Sequence, residues 1–469
     1  MKKELLGIVI ILAMLSLFFQ PSVTGFITRS ISNTQDNKDT MICNSNGNCW
    51  EPTAANIQVA IDDLGAQGGT VWLPPKVYTL TQDKVFIRNN IRLTGSGIGS
   101  TILKKADGTS GYPLWAEYVE NFTISDLTID GNRHAGAQGN GLMVRASENF
   151  IIENVHIKSP SGGGLGIIRS ENGFISKVLV NDVGQWQGIG GLQSTNIVFS
   201  DCIVWNVTQD FGAAFSGVQN STVNNLIVYD SNYGIKVDDD DANTMLTENT
   251  EFNNIHVSVT GTGDGLKLLQ QKNNNYNNVF VSGGQTGLRV WPTVSNINMN
   301  NIHVEDSITR GIMIEGNKIQ MNNVLIKNPG TYGLSLVSGE NIGLTSIKVE
   351  TPGSENRIVD SSNVLISESS FSEGGAYGLR ISNSQDVIVK NSLMKNNVLE
   401  GILVDGSSGS VSNFMLSDNI VTENSKGIAV TDHAHENYII TNNVLTSNSG
   451  QALDDKGTGS NKLVEDNLT

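Results

Sequence analysis

Hydrophobic residues in this chain follow a short phrase that returns at intervals of mostly 22 to 26 residues. Each copy starts with a glycine, which is followed by an apolar residue, a variable residue and a second apolar residue. A second phrase, with apolar residues at its second and fourth positions, follows each glycine unit. Internal periods of this length are typical of stacked structural units. The clear copies of the glycine phrase are residues 141–144, 234–237, 265–268, 287–290, 311–314, 333–336, 378–381, 401–404 and 427–430.

Each repeat is rich in β-branched residues that alternate with Gly, Asn, Ser and Asp, and this pattern predicts three short strands per unit. A period of 22 to 24 residues fits one coil of a right-handed parallel β-helix. We therefore predict an all-β, single-stranded right-handed parallel β-helix over residues 53–469, with a dozen or more coils. A leucine-rich repeat is the competing interpretation, but the chain lacks the helix and the Leu-x-x-Leu-x-Leu phrase of that repeat.

The second phrase predicts which residues point into the solenoid. Its first apolar position is predicted to be inward in every coil, as is the residue two positions further on. The asparagine before these positions is predicted to stack in a ladder of left-handed turns. The inward residues are Val155, Val178, Cys202, Leu226, Ile255, Val279, Ile302, Val324 and Ile347, and the ladder residues are Asn225, Asn254, Asn278, Asn301 and Asn323. Cys202 is therefore expected to be a buried, unreactive thiol.

The region before the repeats differs from the rest of the chain. Residues 53–64 have helical periodicity, with four apolar residues on one face, and predict a cap for the open end of the strand array. The apolar residues are Ile57, Ala60, Ile61 and Leu64. In the preceding segment, residues 26–52, Cys43 and Cys49 flank a short polar loop and are predicted to form a disulfide, as export would allow.

The N-terminus and the overall charge indicate the compartment. Residues 1–25 are predicted to be a secretory signal peptide, because two lysines precede an apolar run over 5–19 and small residues follow at 23–25. An uncleaved N-terminal anchor is the alternative interpretation. Without a second apolar stretch, we expect no membrane span after cleavage and a secreted or cell-surface protein. The net charge of −16 argues against nucleic acid as a partner.

Four phrases near the start, at residues 57–62, 68–75, 91–97 and 126–133, resemble the opening of pectate-lyase-like β-helix proteins. The last phrase is similar to the catalytic module of alginate C5-epimerases. The resemblance covers residues 53–450 and implies the fold. It leaves the chemistry open, since this superfamily contains lyases, hydrolases, epimerases, phage tailspikes and adhesins.

The catalytic phrases of these families are not kept. Alginate epimerases resembling this chain carry Tyr-Gly-Phe-Asp-Pro-His, whereas the corresponding coil reads Gly-Gly-Leu-Gly-Ile-Ile at residues 163–168. Residues 233–238 keep the Tyr-Gly pair but have Lys236 in place of the acid. The Gly-His-Gly of polygalacturonase-type hydrolases is also missing from the sequence. No enzyme is therefore identified by direct motif transfer.

The residue two positions after each glycine is predicted to point outward, and in successive coils these residues form a column. Down the stack it reads Met143, Gly166, Gly190, Ala214, Lys236, Lys267, Arg289, Met313 and Ser335. Three consecutive cations about 4.8 Å apart repel one another and need anionic neighbours or an anionic ligand. The small residues before them leave space for such a ligand.

These cations are the candidate catalytic groups. In calcium-dependent lyases that this chain resembles, a Lys or Arg on the solenoid surface removes the C5 proton of a uronate whose carboxylate has been neutralised. Lys236, Lys267 and Arg289 are the candidates for these roles. Around them, Trp291 is predicted to stack on a sugar, and Asp264 and Glu315 are predicted to contact the substrate. Pairing of Lys236 with Asp264 or with Asp238 is the structural alternative.

One coil is longer than the others, with 31 residues between Gly234 and Gly265. Lengthened loops on a regular scaffold often carry function. The alternating oxygen-bearing residues Asp239, Asp241 and Asn243 are candidate ligands for Ca²⁺, although no Gly or Glu follows at EF-hand spacing. A solvated run of acidic residues is the alternative interpretation.

A second outward column is unusually apolar. It contains Leu179, Ile203, Ile227, Phe280 and Leu325. A stripe of this kind predicts a cover, which could be residues 26–52 or another subunit. Trimerisation along the rod is common in β-helix fibres that this chain resembles, and a homotrimer is the subunit version of this prediction.

The combined hypothesis is a secreted β-helix protein that binds or acts on an acidic extracellular polysaccharide. If it is an enzyme, the resemblance implies a polysaccharide lyase or C5-epimerase. The alternative is a non-catalytic cell-surface adhesin or structural fibre protein. The sequence leaves the choice between these classes open.

Overall fold

The computed structural model describes residues 39–81, 84–239, 245–407, 409–433 and 435–469. The predicted signal peptide, residues 1–25, lies outside these ranges, as do residues 26–38 of the N-terminal segment. Within the ranges, none of the helices is both long enough and apolar enough to cross a membrane.

Each sequence repeat forms one coil of a solenoid, and its first phrase forms a short strand. These strands stack in parallel, and within the described ranges they form a sheet of 16 strands. The predicted dozen or more coils are thus confirmed. The strands are Val85–Phe86, Leu114–Glu117, Leu142–Arg145, Leu165–Ile168, Ile189–Leu192, Phe211–Ser216, Tyr233–Asp238, Leu266–Leu268, Thr286–Val290, Arg310–Ile314, Tyr332–Val337, Arg357–Val359, Leu379–Ser382, Glu400–Asp405, Lys426–Val430 and Leu453–Asp455.

The second phrase contributes to a larger sheet, with 26 strands among the described residues. Its strands also run parallel, except that the first of them pairs antiparallel with two neighbours. The strands are Ile42–Asn44, Cys49–Trp50, Gly69–Trp72, Lys76–Leu80, Ile91–Thr94, Thr101–Lys105, Glu120–Asp130, Glu148–Lys158, Glu171–Val183, Thr195–Val207, Thr222–Ser231, Thr247–Glu248, Glu251–Val259, Gln271–Lys272, Asn275–Gly283, Ser295–Glu305, Asn317–Lys327, Glu340–Glu350, Ser362–Ser367, Ser370–Ser372, Gln385–Lys390, Leu393–Lys395, Met415–Ser417, Ile420–Thr422, Tyr438–Thr441 and Lys462–Glu465.

The prediction of three short strands per coil is wrong for many of the middle coils. There the second and third strands join into one kinked strand, such as Ser295–Glu305. The kink lies at Asn301, which has a left-handed backbone with φ of 57°. Because one left-handed residue resets the inward–outward alternation, Met299 and Ile302 both point into the core.

The predicted inward columns and the asparagine ladder are both confirmed. Val279 lies opposite Ile302 in the next coil, and both side chains are fully buried. Cys202 is buried in the same column, and burial raises the pKa of its thiol to about 12. In the ladder, the Asn301 amide donates to Asn278 Oδ1 at 2.9 Å, and the Asn278 amide donates to Asn254 at 3.0 Å.

The recurring glycine is explained by a close approach to the next phrase of the same coil. A Cβ added to Gly311 would lie 2.3 Å from Ile326 Cγ2, and one added to Gly287 would lie 2.2 Å from Val304 Cγ1. Any side chain here would therefore displace the inward β-branched residues that form the core.

At the N-terminal end, the cap is smaller than predicted. The α-helix spans Ala54–Asp62, not 53–64, and a 3₁₀ turn at Gly65–Gln67 follows; another short 3₁₀ turn lies at Arg133–Ala135. Thr53 caps the helix, and Ile57, Ala60 and Ile61 are buried as predicted. Cys43 and Cys49 form the predicted disulfide across an antiparallel strand pair.

The apolar outward column is present, but its predicted cover is not formed by the described part of the N-terminal segment. Residues 39–52 lie at the end of the solenoid, where strand Ile42–Asn44 pairs with Gly69–Trp72. The column residues are half-buried. These side chains contact one another and the histidines of the same column. The stacked rings of Phe280 and His256, for example, have centroids 4.6 Å apart. The homotrimer stays a prediction.

A matched pair of variants tests the close packing at the recurring glycine. Gly311→Ala is expected to lower stability by about 1–3 kcal/mol, because its methyl group overpacks the core. Gly190→Ala is the control, since a Cβ there would find its nearest atoms 3.9 Å away. Thermal and denaturant midpoints followed by circular dichroism measure the difference. Equal midpoints for the two variants would contradict this explanation of the glycine phrase.

Candidate functional site

The outward column predicted from the glycine phrase is formed on one face of the 16-stranded sheet. Each of its residues pairs in register with the next, from Met143 through Gly166 and onward to Ser335. Lys236, Lys267 and Arg289 are thus neighbours on three successive coils. The roles assigned to them from the sequence stay predictions.

A pocket with a volume of about 250 Å³ lies over the small residues of the column. Gly166, Gly190 and Ala214 form its floor, and the predicted space beside the cations is therefore present. Lys236 lies at one end. Trp186 lines the pocket and is 51% exposed. This arrangement combines a floor of small residues with an exposed aromatic ring and a cation.

Trp186 was missed by sequence reasoning, although its loop carries a signal. The loop precedes the glycine of its coil and is held to the previous coil by backbone bonds: Gly184 N–H donates to Pro160 O at 3.0 Å, and Trp186 N–H donates to Gly162 O at 3.4 Å. A lone Trp beside a coil of small residues is the pattern that could have identified it. The loop thus presents the indole on a rigid backbone.

A second aromatic group reaches the pocket from the N-terminal side. Tyr112 lines the pocket, and its ring lies edge-on to that of Trp115 with centroids 4.4 Å apart. The ammonium of Lys84 lies 4.1 Å from the centre of the Trp115 ring. Trp115 precedes Met143 in the same outward column. The aromatic surface therefore continues beyond the pocket.

The cations of the column have partners within the protein. Lys236 Nζ lies 3.0 Å from Asp238, and Arg289 Nη2 lies 3.4 Å from Glu315. The Arg289 guanidinium is also 4.3 Å from the Trp291 ring centre, and Lys267 Nζ is 5.4 Å from it. Since Trp291 is half-buried and in contact with Arg289, the face predicted to stack on a sugar is partly occupied.

Two half-buried carboxyl groups complete the charge pattern. Burial raises the pKa of Asp264, while Arg289 and Lys267 act in the opposite direction. Burial likewise raises the pKa of Asp210, against the effect of Lys236. Carboxyl groups therefore lie beside the three consecutive cations, and the column obtains its charge compensation from these anionic neighbours.

The cationic column extends further than predicted. Arg357 pairs in register with Ser335, and Arg380 pairs with Arg357. Arg357 donates to Ser335 Oγ at 3.0 Å, and Arg380 donates twice to Asp405. Sequence reasoning stopped at Ser335, because Glu355 replaces the phrase glycine in the next coil.

One of the three candidate calcium ligands lies among the described residues. Asp239 is 3% exposed, whereas Asp241 and Asn243 lie outside the described residues. Across the portion of the chain that the structure describes, no group of three or more His, Cys, Asp or Glu side chains could hold a metal ion. The calcium site stays a prediction.

Comparison with known proteins gives matches to the family and to individual relatives. The family model "Right handed beta helix region" matches residues 114–291 and 286–445. Mannuronan C5-epimerase AlgE6 of Azotobacter vinelandii is 32% identical over 156 residues, which is 29% of this chain and 18% of the relative. Alginate lyase 7 of the same organism is 38% identical over 90 residues, or 16% of this chain and 10% of the relative. The chain spans less than a fifth of these relatives.

A solved structure supports the fold alone. The N-terminal fragment of bacteriophage Phi29 gene product 12 superposes with a TM-score of 0.54 at 13% identity, covering 88% of this chain and 90% of that fragment. The family model matches more than half of the residues. The described coils carry the parallel stacking that this family's name denotes. The chain therefore belongs to the right-handed β-helix family.

Proposed function

We propose that this chain binds a uronate-containing polysaccharide along the outward face of its 16-stranded sheet, with one sugar unit in the pocket. The observation that carries the proposal is the order of surfaces there: an exposed indole at Trp186, a floor at Gly190 and an ammonium group at Lys236. A sugar ring packs its apolar face on an aromatic ring, and a uronate adds a carboxylate that a cation can pair with. The similarity to a mannuronan C5-epimerase and to an alginate lyase supports the polysaccharide class.

The proposed place of action is outside the cell, after removal of residues 1–25. The signal-peptide pattern supports this part of the proposal. The disulfide between Cys43 and Cys49 supports it independently, because such bonds persist in oxidising compartments and are rare in the cytosol.

Filling the pocket floor tests the binding site. Gly190→Leu is expected to weaken binding of a soluble polyuronate by at least about tenfold, because the new side chain occupies the space of the sugar. A Cβ added at Gly190 would lie 3.9 Å from its nearest neighbours, so the new side chain can extend into the pocket. Isothermal titration calorimetry measures the affinity, and the melting midpoint controls for folding.

A pair of tryptophan variants distinguishes binding at the pocket from binding elsewhere on the surface. Trp186→Ala is expected to weaken binding, whereas Trp205→Ala, which alters a half-buried tryptophan on the 26-stranded sheet, should not. Added salt should weaken the wild-type interaction, because the ligand is anionic. Wild-type affinity in a folded Gly190→Leu protein would exclude this pocket.

A second candidate function is lyase or C5-epimerase chemistry at the cationic column. The observation that favours it is Asp264, a half-buried carboxyl with a raised pKa close to Lys267 and Arg289. In this version Arg289 and Lys236 neutralise the uronate carboxylate, and Lys267 takes the C5 proton as a neutral amine. A lyase then breaks the C4–O bond as the C4–C5 double bond forms, whereas an epimerase returns a proton to the opposite face of C5. The loss of the epimerase phrase at 163–168 favours the non-catalytic alternative, an adhesin or structural fibre protein.

Proton exchange at C5 decides between these classes. The catalytic version expects deuterium from D₂O at C5, or absorbance from an unsaturated product, with wild-type protein on a panel of polyuronates. Lys267→Met should abolish both signals and leave polymer binding measurable. Wild-type protein that binds a polyuronate without either signal would contradict catalysis and favour the adhesin or structural role.

We further propose that the long loop binds Ca²⁺ through Asp239, Asp241 and Asn243. Their oxygen atoms are the donor type that calcium prefers, and the ion would neutralise a nearby uronate carboxylate. Linkage predicts a stabilisation of about 2.7 kcal/mol at a hundredfold excess of Ca²⁺ over Kd. A melt with Ca²⁺ and with a chelator measures it, and Asp239→Ala with Asp241→Ala should remove the difference. Identical midpoints for the wild type in both conditions would contradict the site.

A further inference from the structure

A second outward face, on the 26-stranded sheet, consists of amide side chains. They occupy a longer column on five successive coils and an adjacent, shorter column on three of those coils, and we name this surface the amide face. Register pairs join the residues of each column from coil to coil. The members are Asn224, Asn253, Asn275, Asn277, Asn298, Asn300, Gln320 and Asn322.

The amides of the longer column hold one another in place. Asn253 donates to Asn224 at 3.0 Å, Asn277 donates to Asn253 at 2.9 Å, and Asn300 donates to Asn277 at 3.2 Å. Each amide has two N–H donors and a carbonyl with two lone pairs. In an interior position of the ladder, one N–H and one lone pair are used. Each coil therefore offers a fixed donor and a fixed acceptor to solvent, at a repeat of about 4.8 Å.

The face is also concave. A depression of about 430 Å³ is lined by amides of both columns, with Thr345 at its edge. Gly343 follows Gln320 in register, and a Cβ there would lie 2.0 Å from Gln320 Oε1. The missing side chain at Gly343 thus leaves room for the Gln320 amide to lie against the sheet.

The charge of this face differs from that of the whole chain. The protein has a net charge of −16, yet all eight members of the amide face are neutral. The register neighbours Ser200, Thr345 and Gly343 at the ends of the columns are neutral too. Glu251, which pairs with Asn275, is the carboxylate at one end of the shorter column. A polyanion would gain no Coulomb attraction here, so the face suits an uncharged ligand.

We propose that the amide face binds a neutral, hydroxyl-rich polysaccharide that lies along the solenoid axis. A hydroxyl group both donates and accepts, and so matches the donor and acceptor that each coil presents. Single exposed hydrogen bonds contribute little, and an extended polymer that contacts five coils can add many of them. Because the ladder orients the amides before binding, little side-chain order is lost. This site is separate from the pocket and the cationic column of the 16-stranded sheet, which we together call the charged groove. It does not depend on the function proposed for that groove.

A panel of neutral polymers in affinity gel electrophoresis tests the proposal. The probes are a soluble mixed-linkage β-glucan, a galactomannan and dextran, each at low and high salt. At least one is expected to retard the wild type, and salt should not change the retardation. Asn298→Ala combined with Gln320→Ala should weaken that binding by about tenfold. Gln320→Glu, which keeps the size and adds charge, is the second variant if the first destabilises the protein.

Two controls make the result specific to this face. Gln385→Ala removes an exposed amide elsewhere on the same sheet and should leave retardation unchanged. Gly190→Leu blocks the charged groove and should also leave it unchanged. Failure of every neutral probe to retard the wild type would overturn the proposal. Retardation that is lost in Gly190→Leu but kept in the amide variants would overturn it as well, by assigning the neutral polymer to the groove.

Discussion

Parallel stacking of the coils in a fixed register is the constraint on which the rest of this structure depends. Backbone hydrogen bonds hold each strand in register with its neighbour, and each inward side chain meets another apolar side chain in the next coil, as Val279 meets Ile302. A slip by one residue would turn every buried side chain outward. Each outward residue is thereby held in a column with the equivalent residues of the neighbouring coils.

The same constraint governs polar chemistry on the surface. Side chains of equal charge are forced into neighbouring positions about 4.8 Å apart, and they need compensation. The pairs Lys236–Asp238 and Arg289–Glu315 supply it on one face. Neutral amides need no such compensation and form ladders instead, as Asn277 does with Asn253. One solenoid therefore presents a charged groove and an uncharged array on different sheets.

The pocket lies where the chain departs from the epimerase phrase that it otherwise resembles. Gly166 and Ile168, which stand in that coil, line the pocket and carry no ionisable group; the cation of the pocket is Lys236 at its end. The pocket keeps an aromatic lining, which Trp186 and Tyr112 contribute. The ionisable groups lie further along the column, beginning at Lys236. This separation is why polysaccharide binding is the primary proposal and chemistry the second.

The sequence alone determined the coil period, the buried columns, the asparagine ladder and the order of the cationic column, because each follows from a local pattern repeated at constant spacing. It also determined the disulfide, because Cys43 and Cys49 flank one short loop. It offered Asp238 as a partner of Lys236, and that pair is formed, but it could not show that Glu315 pairs with Arg289, since side-chain direction selects the partner. Trp186 was missed because its importance comes from a loop lying over the small residues of neighbouring coils. Arg357 was missed because Glu355 replaces the phrase glycine of its coil, and Arg380, in the clear copy at 378–381, because that break separates it from Ser335. Contacts between coils decided these features, and no single repeat contains them.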